Sequence, residues 1–399
     1  MRNSSSALER QAYAQVQESK ALSLNPLRGI GTMDHTIYLV VSILVLFGIM
    51  MVFSASYVVT GRSARFGFDT FFFLRRHLVF AGIGFLVMWL ASNVNYRYLK
   101  RLAFPMYAAS LGFLLAVAVF GEETGGARRW IEIPGLDIQF QPSEIAKVAL
   151  ILLLARIISA DRRILDKWPG FLFCAGIVGV MMVFVGIGNL STAIIIGIIG
   201  GGMLFLASPY IWPFILAGAA SVGGMLAYLW FLANHASEGH FRGGRFLAWR
   251  DPFSDMSGYG FQIVQSLYAI ASGGLFGLGI GQSRQKTFLP EVHNDVIFSV
   301  IAEELGFFGA GIILLLFGIL ICRGLKIAMN ATDNFGALVA GGIVLMIASQ
   351  VIINVAVVTN TIPNTGIPMP FISYGGTALV VCMGLIGVLL NISKQTKIK

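Results

Sequence analysis

Ten runs of mostly apolar residues punctuate the chain, near 36–57, 77–95, 102–120, 143–159, 169–187, 190–207, 210–232, 294–322, 335–358 and 371–391. Short polar connections separate them, except for one long connection at about 233–293. A run of roughly 20 apolar residues, at about 1.5 Å per residue, is long enough to cross a hydrocarbon core of about 30 Å. In that core every backbone N–H and C=O needs a partner within the protein, so the runs are expected to be helices. The pattern predicts an all-α, polytopic integral membrane protein with about ten transmembrane helices. It divides the chain into a cytoplasmic tail at 1–33, a transmembrane domain at 34–393 and a short tail at 394–399. The first run begins near Thr36 after a polar stretch and is long enough to be a span instead of a cleavable leader.

Composition agrees, with 56% of the 399 residues hydrophobic and only 12% charged. The net charge of +9 would suggest nucleic acid in a water-soluble protein; here the cations are better sorted by membrane side, and no nucleic-acid partner is expected. With the N-terminus inside, both tails and the connections holding Arg97, Lys100, Arg101, Arg162, Arg163, Lys167, Arg323 and Lys326 are inner and basic. The long connection is then extracytoplasmic. The outer connections also carry cations, including Arg128, Arg129, Arg242, Arg245, Arg284 and Lys286, on the side the positive-inside rule disfavours. An anionic ligand accounts for them. The cysteines, Cys174, Cys322 and Cys382, lie far apart in apolar runs and support neither a disulfide framework nor a metal site.

The densest chemistry lies in Gln282–Gly309, QSRQKTFLPEVHNDVIFSVIAEELGFFG. Asp295 precedes an apolar run, beside His293 and close to Arg284 and Lys286. It reads either as a helix N-cap or as a carboxylate general base at the lipid–water boundary. On a continuous helix Ser299 and Glu303 would share its face, while Glu304 would point the opposite way. Glu144 and Lys147 are spaced i, i+3 behind Gln141-Pro142-Ser143 and read as a mutually neutralising pair or as a lysine held for an anion. Arg128 beside Trp130, and Arg245 and Arg250 around Trp249, can grip phosphate or simply anchor at the interface. The glycines at 273, 274, 277, 279 and 281 follow no strand and precede no GK[ST], so they suggest an interfacial or re-entrant element and not a nucleotide loop. In Asn360–Thr377 the prolines and glycines forbid a plain helix, and Gln350 and Asn354 lie i, i+4 on one face of the preceding span, as interhelical hydrogen bonding would use them.

Three blocks, GARRWI…QPSEIAK (126–147), GGLFGLGIGQSRQKTFLPEVHNDVIFSVIAEELG (273–306) and IPNTGIPMPFISYGGT (362–377), resemble the SEDS family of bacterial shape, elongation, division and sporulation proteins. The likeness runs from Ser54-Ala55-Ser56 in the first run to the last. It implies ten transmembrane helices and peptidoglycan glycosyltransferase activity on lipid II, with a class B penicillin-binding transpeptidase and other divisome membrane proteins as partners. It maps the family's essential acid onto Asp295 and its membrane-embedded lysine onto Lys147. Glu144, Arg128, Arg245, Lys286, His293 and Ser373 are the further expected substrate contacts, and the resemblance implies help from a divalent cation such as Mg²⁺. The GIGQSRQKTFLPE spacing is closest to the division branch. Asn189-Leu190-Ser191-Thr192 and Asn294-Asp295-Val296 depart from the commoner Asp-Leu-Gly-Thr and Thr-Asp-Phe.

The implied reaction joins a sugar 4-hydroxyl to a sugar carried on polyprenyl pyrophosphate. It needs a base for the hydroxyl and cations for the departing diphosphate. Two other classes fit ten spans with embedded charges: a flippase for the lipid-linked precursor and a non-catalytic division scaffold.

Overall fold

The computed structural model describes residues 33–124, 127–133, 138–161, 163–235, 241–256, 258, 260–289 and 292–396. The N-terminal tail through residue 32 and the last three residues lie outside them. Ten long helices coincide with the ten apolar runs: α1 (His35–Arg62), α2 (Phe72–Asn93), α3 (Leu99–Phe120), α4 (Pro142–Ala160), α5 (Trp168–Gly188), α6 (Leu190–Ala207), α7 (Trp212–His235), α10 (Ile297–Asn330), α11 (Asn334–Val358) and α12 (Gly376–Lys394). Eight of them are long and apolar enough on their own to cross a membrane among the described residues; α4 departs from that pattern by carrying Glu144, Lys147 and Arg156. The long connection adds two shorter helices, α8 (Phe241–Arg250) and α9 (Phe261–Gly273). One small sheet is added to the expected helices: β1 (Glu122–Thr124), β2 (Ala127–Ile133) and β3 (Ile138–Phe140), with β2 antiparallel to both neighbours.

Several helix starts follow from single side chains. Asp34 accepts from the backbone N–H of Thr36 and Ile37, and Asp333 from that of Gly336. Asn189, one of the departures noted above, caps α6 by accepting from the N–H of Thr192, a bond that an aspartate oxygen could also accept. α11 and α12 are the most enclosed helices, with α2 packed along α12 and α4, α6 and α10 around α11. α5 turns Phe173, Val183 and Ile187 outward.

One end of the bundle is tied by polar contacts between the tips of α1, α2, α10, α11 and α12. Arg323 pairs with Asp34 at 3.7 Å, Tyr96 donates to Asp333 at 2.6 Å, and Lys394 donates to the Ser92 carbonyl at 3.0 Å. The start of α1, the links after α2 and α10, and the end of α12, all read as inner, thus meet on a single face. α10 runs from that face to the opposite end, where Asp295, α9 and the 359–375 connection gather.

α10 departs from the sequence expectation. It is not one helix: Gly306 sits at φ 69°, ψ −170°, a left-handed φ that favours glycine. The break removes the bonds that Phe307 and Phe308 N–H would make to Glu303 and Glu304 C=O. The glycine-rich stretch after α9 supplies replacements. Leu278 and Gly279 N–H donate to the Glu303 and Glu304 carbonyls at 2.9 Å each. Phe307 and Phe308 N–H donate to the Gly274 and Leu275 carbonyls at 2.9 and 3.1 Å. Approach is close enough that a Cβ on Gly277 would lie 2.2 Å from Glu304 O. The 273–281 stretch is therefore the patch that lets a helix break survive among apolar neighbours.

Candidate functional site

Asp295 stands in a turn just before α10. It is not the helix cap: Val296 holds that position, without a side-chain cap bond. The turn is stapled from behind. Asn354 on α11 donates from Nδ2 to the Asp295 carbonyl and to the Ile367 carbonyl, both at 2.8 Å, and Tyr374 N–H donates to the His293 carbonyl at 2.8 Å. The interhelical bonding expected of Asn354 is replaced by bonds from the helix to a turn and a connection. The carboxylate faces α9 and the 359–375 connection: Gln262 Nε2 donates to Asp295 Oδ1 at 3.4 Å, and Asn364 Nδ2 donates to Gln262 Oε1 at 2.8 Å. No motif in the sequence singles out Gln262 or Asn364. Asn364 lies in a block noted for its prolines and glycines, and Gln262 is a lone amide in the first turn of a short helix. Only the fold brings them together.

His293 packs its ring against Phe73 at 4.0 Å and edge-on to Tyr374 at 5.5 Å. Burial, with His77 beside it, pushes its imidazole down to about 4, so it is neutral near pH 7 and a weak base. Its role in the geometry is to wedge the Asp295 turn against α2.

Glu144 and Lys147 do pair, with Lys147 Nζ 2.9 Å from Glu144 Oε1, in the first two turns of α4 and almost wholly buried. Glu144 Oε2 and the neighbouring Ser143 hydroxyl are left without partners, as is Gln350 Oε1. Gln350, Met369, Ser373 and Cys382 line a cavity with room for about one water, and Cys382 lies within electrostatic range of both Glu144 and Lys147. Ser373 lines that cavity, but its oxygen already accepts from the Met369 N–H at 2.8 Å.

Lys286, expected as a diphosphate contact, is instead taken up by three protein groups. It is 2% exposed, bonded to Glu304 Oε1 at 3.2 Å and to the Gly281 carbonyl at 2.6 Å, with its ammonium 4.7 Å above the Tyr57 ring. Glu303 and Glu304 do not point in opposite directions as expected. Both carboxylates gather the 283–286 segment: Glu303 accepts from the Ser283 hydroxyl and the Arg284 N–H, and Glu304 from the Ser54 hydroxyl at 2.7 Å and the Ser283 N–H at 3.4 Å. Arg128 lies in β2 and Arg245 in α8, and the side chains of both are outside the described part of the structure. Among the described residues no group of three or more His, Cys, Asp or Glu is placed to hold a metal ion.

Comparison with known proteins fits this arrangement. The model of a family described as "Cell cycle protein", the FtsW–RodA–SpoVE family, matches residues 34–398. The chain is similar to stage V sporulation protein E of Bacillus subtilis (strain 168), 39% identical over 371 residues, which cover 91% of this chain and 98% of that protein. It is also similar to the probable peptidoglycan glycosyltransferase FtsW of Geobacter sp. (strain M18), 36% identical over 372 residues, with 91% and 97% covered. Among solved structures it resembles a chain of a peptidoglycan synthase complex that coordinates polymerization and crosslinking, at TM-score 0.73 and 28% identity, covering 90% of this chain and 97% of that one. The rod shape determining protein RodA of Thermus thermophilus gives 0.66 and 27%, covering 92% and 98%. Matched over every one of its ten long helices, the chain belongs to the SEDS family.

Proposed function

We propose that the chain is a peptidoglycan glycosyltransferase that polymerises lipid II at the outer face of the cytoplasmic membrane, with Asp295 as general base. The observation that supports this best is the setting of Asp295. The residue is partly buried on a turn stapled by Asn354, at the end of the bundle opposite the basic face. With that basic face counted as cytoplasmic, the opposite end is the outer one, which supports a base at the outer leaflet.

Asp295 takes the proton of the acceptor 4-hydroxyl as that oxygen attacks the anomeric carbon. The bond from that carbon to the diphosphate breaks, and the polyprenyl diphosphate leaves with the electron pair. An α-linked donor and a β-linked product require one inverting displacement, with no covalent enzyme intermediate. Lys147 is the cation proposed for the diphosphate, with Glu144 holding its ammonium; the orphaned Ser143 hydroxyl beside it can donate to a phosphate oxygen, while the orphaned Glu144 Oε2 can take only a donor such as a sugar hydroxyl. Arg128 and Arg245 remain proposed contacts. Asp295 supplies one carboxylate, which fits a Mg²⁺ that arrives on substrate phosphates and not one held in a protein cage; when bound, such an ion would offset diphosphate charge. The setting proposed is the division septum, with a class B penicillin-binding transpeptidase as partner, as the likeness to a synthase-complex chain and to FtsW supports.

The test is polymerisation of lipid II by the purified chain, with and without its transpeptidase. Asp295→Asn should insert, fold and bind that partner yet make no glycan. Full polymerisation by the variant removes Asp295 from the base role. Movement of lipid II across the bilayer without chain growth would favour the flippase reading.

A further inference from the structure

The carboxylate of Asp295 is reached by a chain of amides whose direction is set at its far end by the backbone. Gly366, at φ +63°, closes a turn in which its N–H donates to Asn364 Oδ1 at 3.2 Å. A side-chain amide has one acceptor end and one donor end. With its oxygen taken, Asn364 meets Gln262 with Nδ2, and the atom it meets, at 2.8 Å, is Oε1. Gln262 is thereby left with only N–H to offer Asp295 Oδ1, 3.4 Å away. The donors all point one way, from Gly366 through Asn364 and Gln262 to the acid. The three side chains come from three places, α9, the connection after α11, and the turn before α10, so their meeting is a product of the fold.

We infer that Gln262 and Asn364 are positioning residues for the transfer reaction: they keep a donor, never a lone pair, against Asp295 and so hold its carboxylate in the rotamer that faces the acceptor hydroxyl. The inference rests on Asp295 being the base. Asn364→Asp reverses the chain. A carboxylate at 364 has no N–H for Gln262, so Gln262 turns its amide nitrogen toward 364 and its oxygen toward Asp295, lone pair against lone pair. Gln262→Met keeps the length and apolar stem while removing the donor. Gln262→Asn keeps the amide but falls one methylene short.

The experiment measures lipid II polymerisation by the full chain carrying each change, with thermal unfolding of the same preparations. Loss of one charge-assisted hydrogen bond in the reacting arrangement is expected to lower kcat by about tenfold to a hundredfold, with KM for lipid II within about twofold. The Gln262→Met/Asn364→Asp double variant should be no slower than the slower single, because both act through one contact. A purely structural role would instead lower the melting temperature and leave the kcat of the folded fraction unchanged. If Asn364→Asp does not fold, Gln262→Asn gives the same readout. Wild-type kcat in the Gln262 and Asn364 variants, with Asp295→Asn inactive, overturns the positioning role and leaves the base in place. Activity in Asp295→Asn overturns the base itself, a separable result.

Discussion

Lys286→Met is the most informative single change, because it decides between two incompatible roles. As a solvent-facing diphosphate contact the lysine would be dispensable for folding. In the structure it is enclosed by Glu304, the Gly281 carbonyl and the Tyr57 ring. Removing the ammonium leaves Glu304 as a buried anion with only the Ser54 hydroxyl and the Ser283 N–H to hold it. Breaking a buried ion pair from one side costs about 3–5 kcal/mol, and the two remaining donors put this case near the low end, about 3 kcal/mol. In a chain of 399 residues that is a melting-temperature drop of roughly 3–4 °C. Lys286→Met/Glu304→Gln removes the stranded charge and should recover at least half of the loss. The assay is thermal unfolding of purified protein in detergent or nanodiscs, beside lipid II titration. An unchanged melting temperature in Lys286→Met, together with a raised KM for lipid II, would refute the buried-pair reasoning and restore the lysine to the substrate.

Two further outcomes are expected. Gly306→Ala should sharply reduce the yield of folded protein, because its φ is left-handed and its new Cβ would lie 2.3 Å from the Gly277 nitrogen; Gly279→Ala, whose nearest neighbour is a flexible side chain at 3.6 Å, should cost only the backbone strain, and fluorescence-detected size exclusion compares them. His293 titrates near 4 when folded and near 6.5 when unfolded, so the unfolded chain binds the extra proton between those values; its contribution is complete above about pH 6.5 and is lost as pH falls toward 4. His293→Phe, which keeps the ring contacts, should therefore flatten the fall in melting temperature between pH 7 and pH 5 by about 1–2 kcal/mol equivalent.

The helices were legible because lipid imposes length and apolarity on a span whatever the neighbours are, and the ten runs coincide with ten long helices. What lay hidden depended on partners far away in sequence. The run EELGFFG looks like uninterrupted helix, since a break at glycine is visible only once the 274–279 backbone is there to repair it. Lys286 looked like a surface cation because its partners are contributed by α1 and α10. The motif around Asp295 allows a base or a cap; the helix begins two residues later, so the cap disappears. The spacing of Asn354 with Gln350 suggests interhelical bonding, but its partners are the backbone of a turn and of a connection, which no helical spacing reveals. Gln262 and Asn364 carry no local pattern that separates them from other loop amides, so their convergence on the acid emerged only in three dimensions.

The repair of α10 also constrains how chain length can vary. Four cross-bonds lock residues 274–279 to 303–308 in one alignment. A single inserted or deleted residue between Leu275 and Leu278 would displace two of those bonds relative to the other two. Peptide groups would then face hydrocarbon unpaired, each at a cost of several kcal/mol. Although it looks like a loop, this stretch should tolerate changes in length as poorly as the middle of a β-ladder.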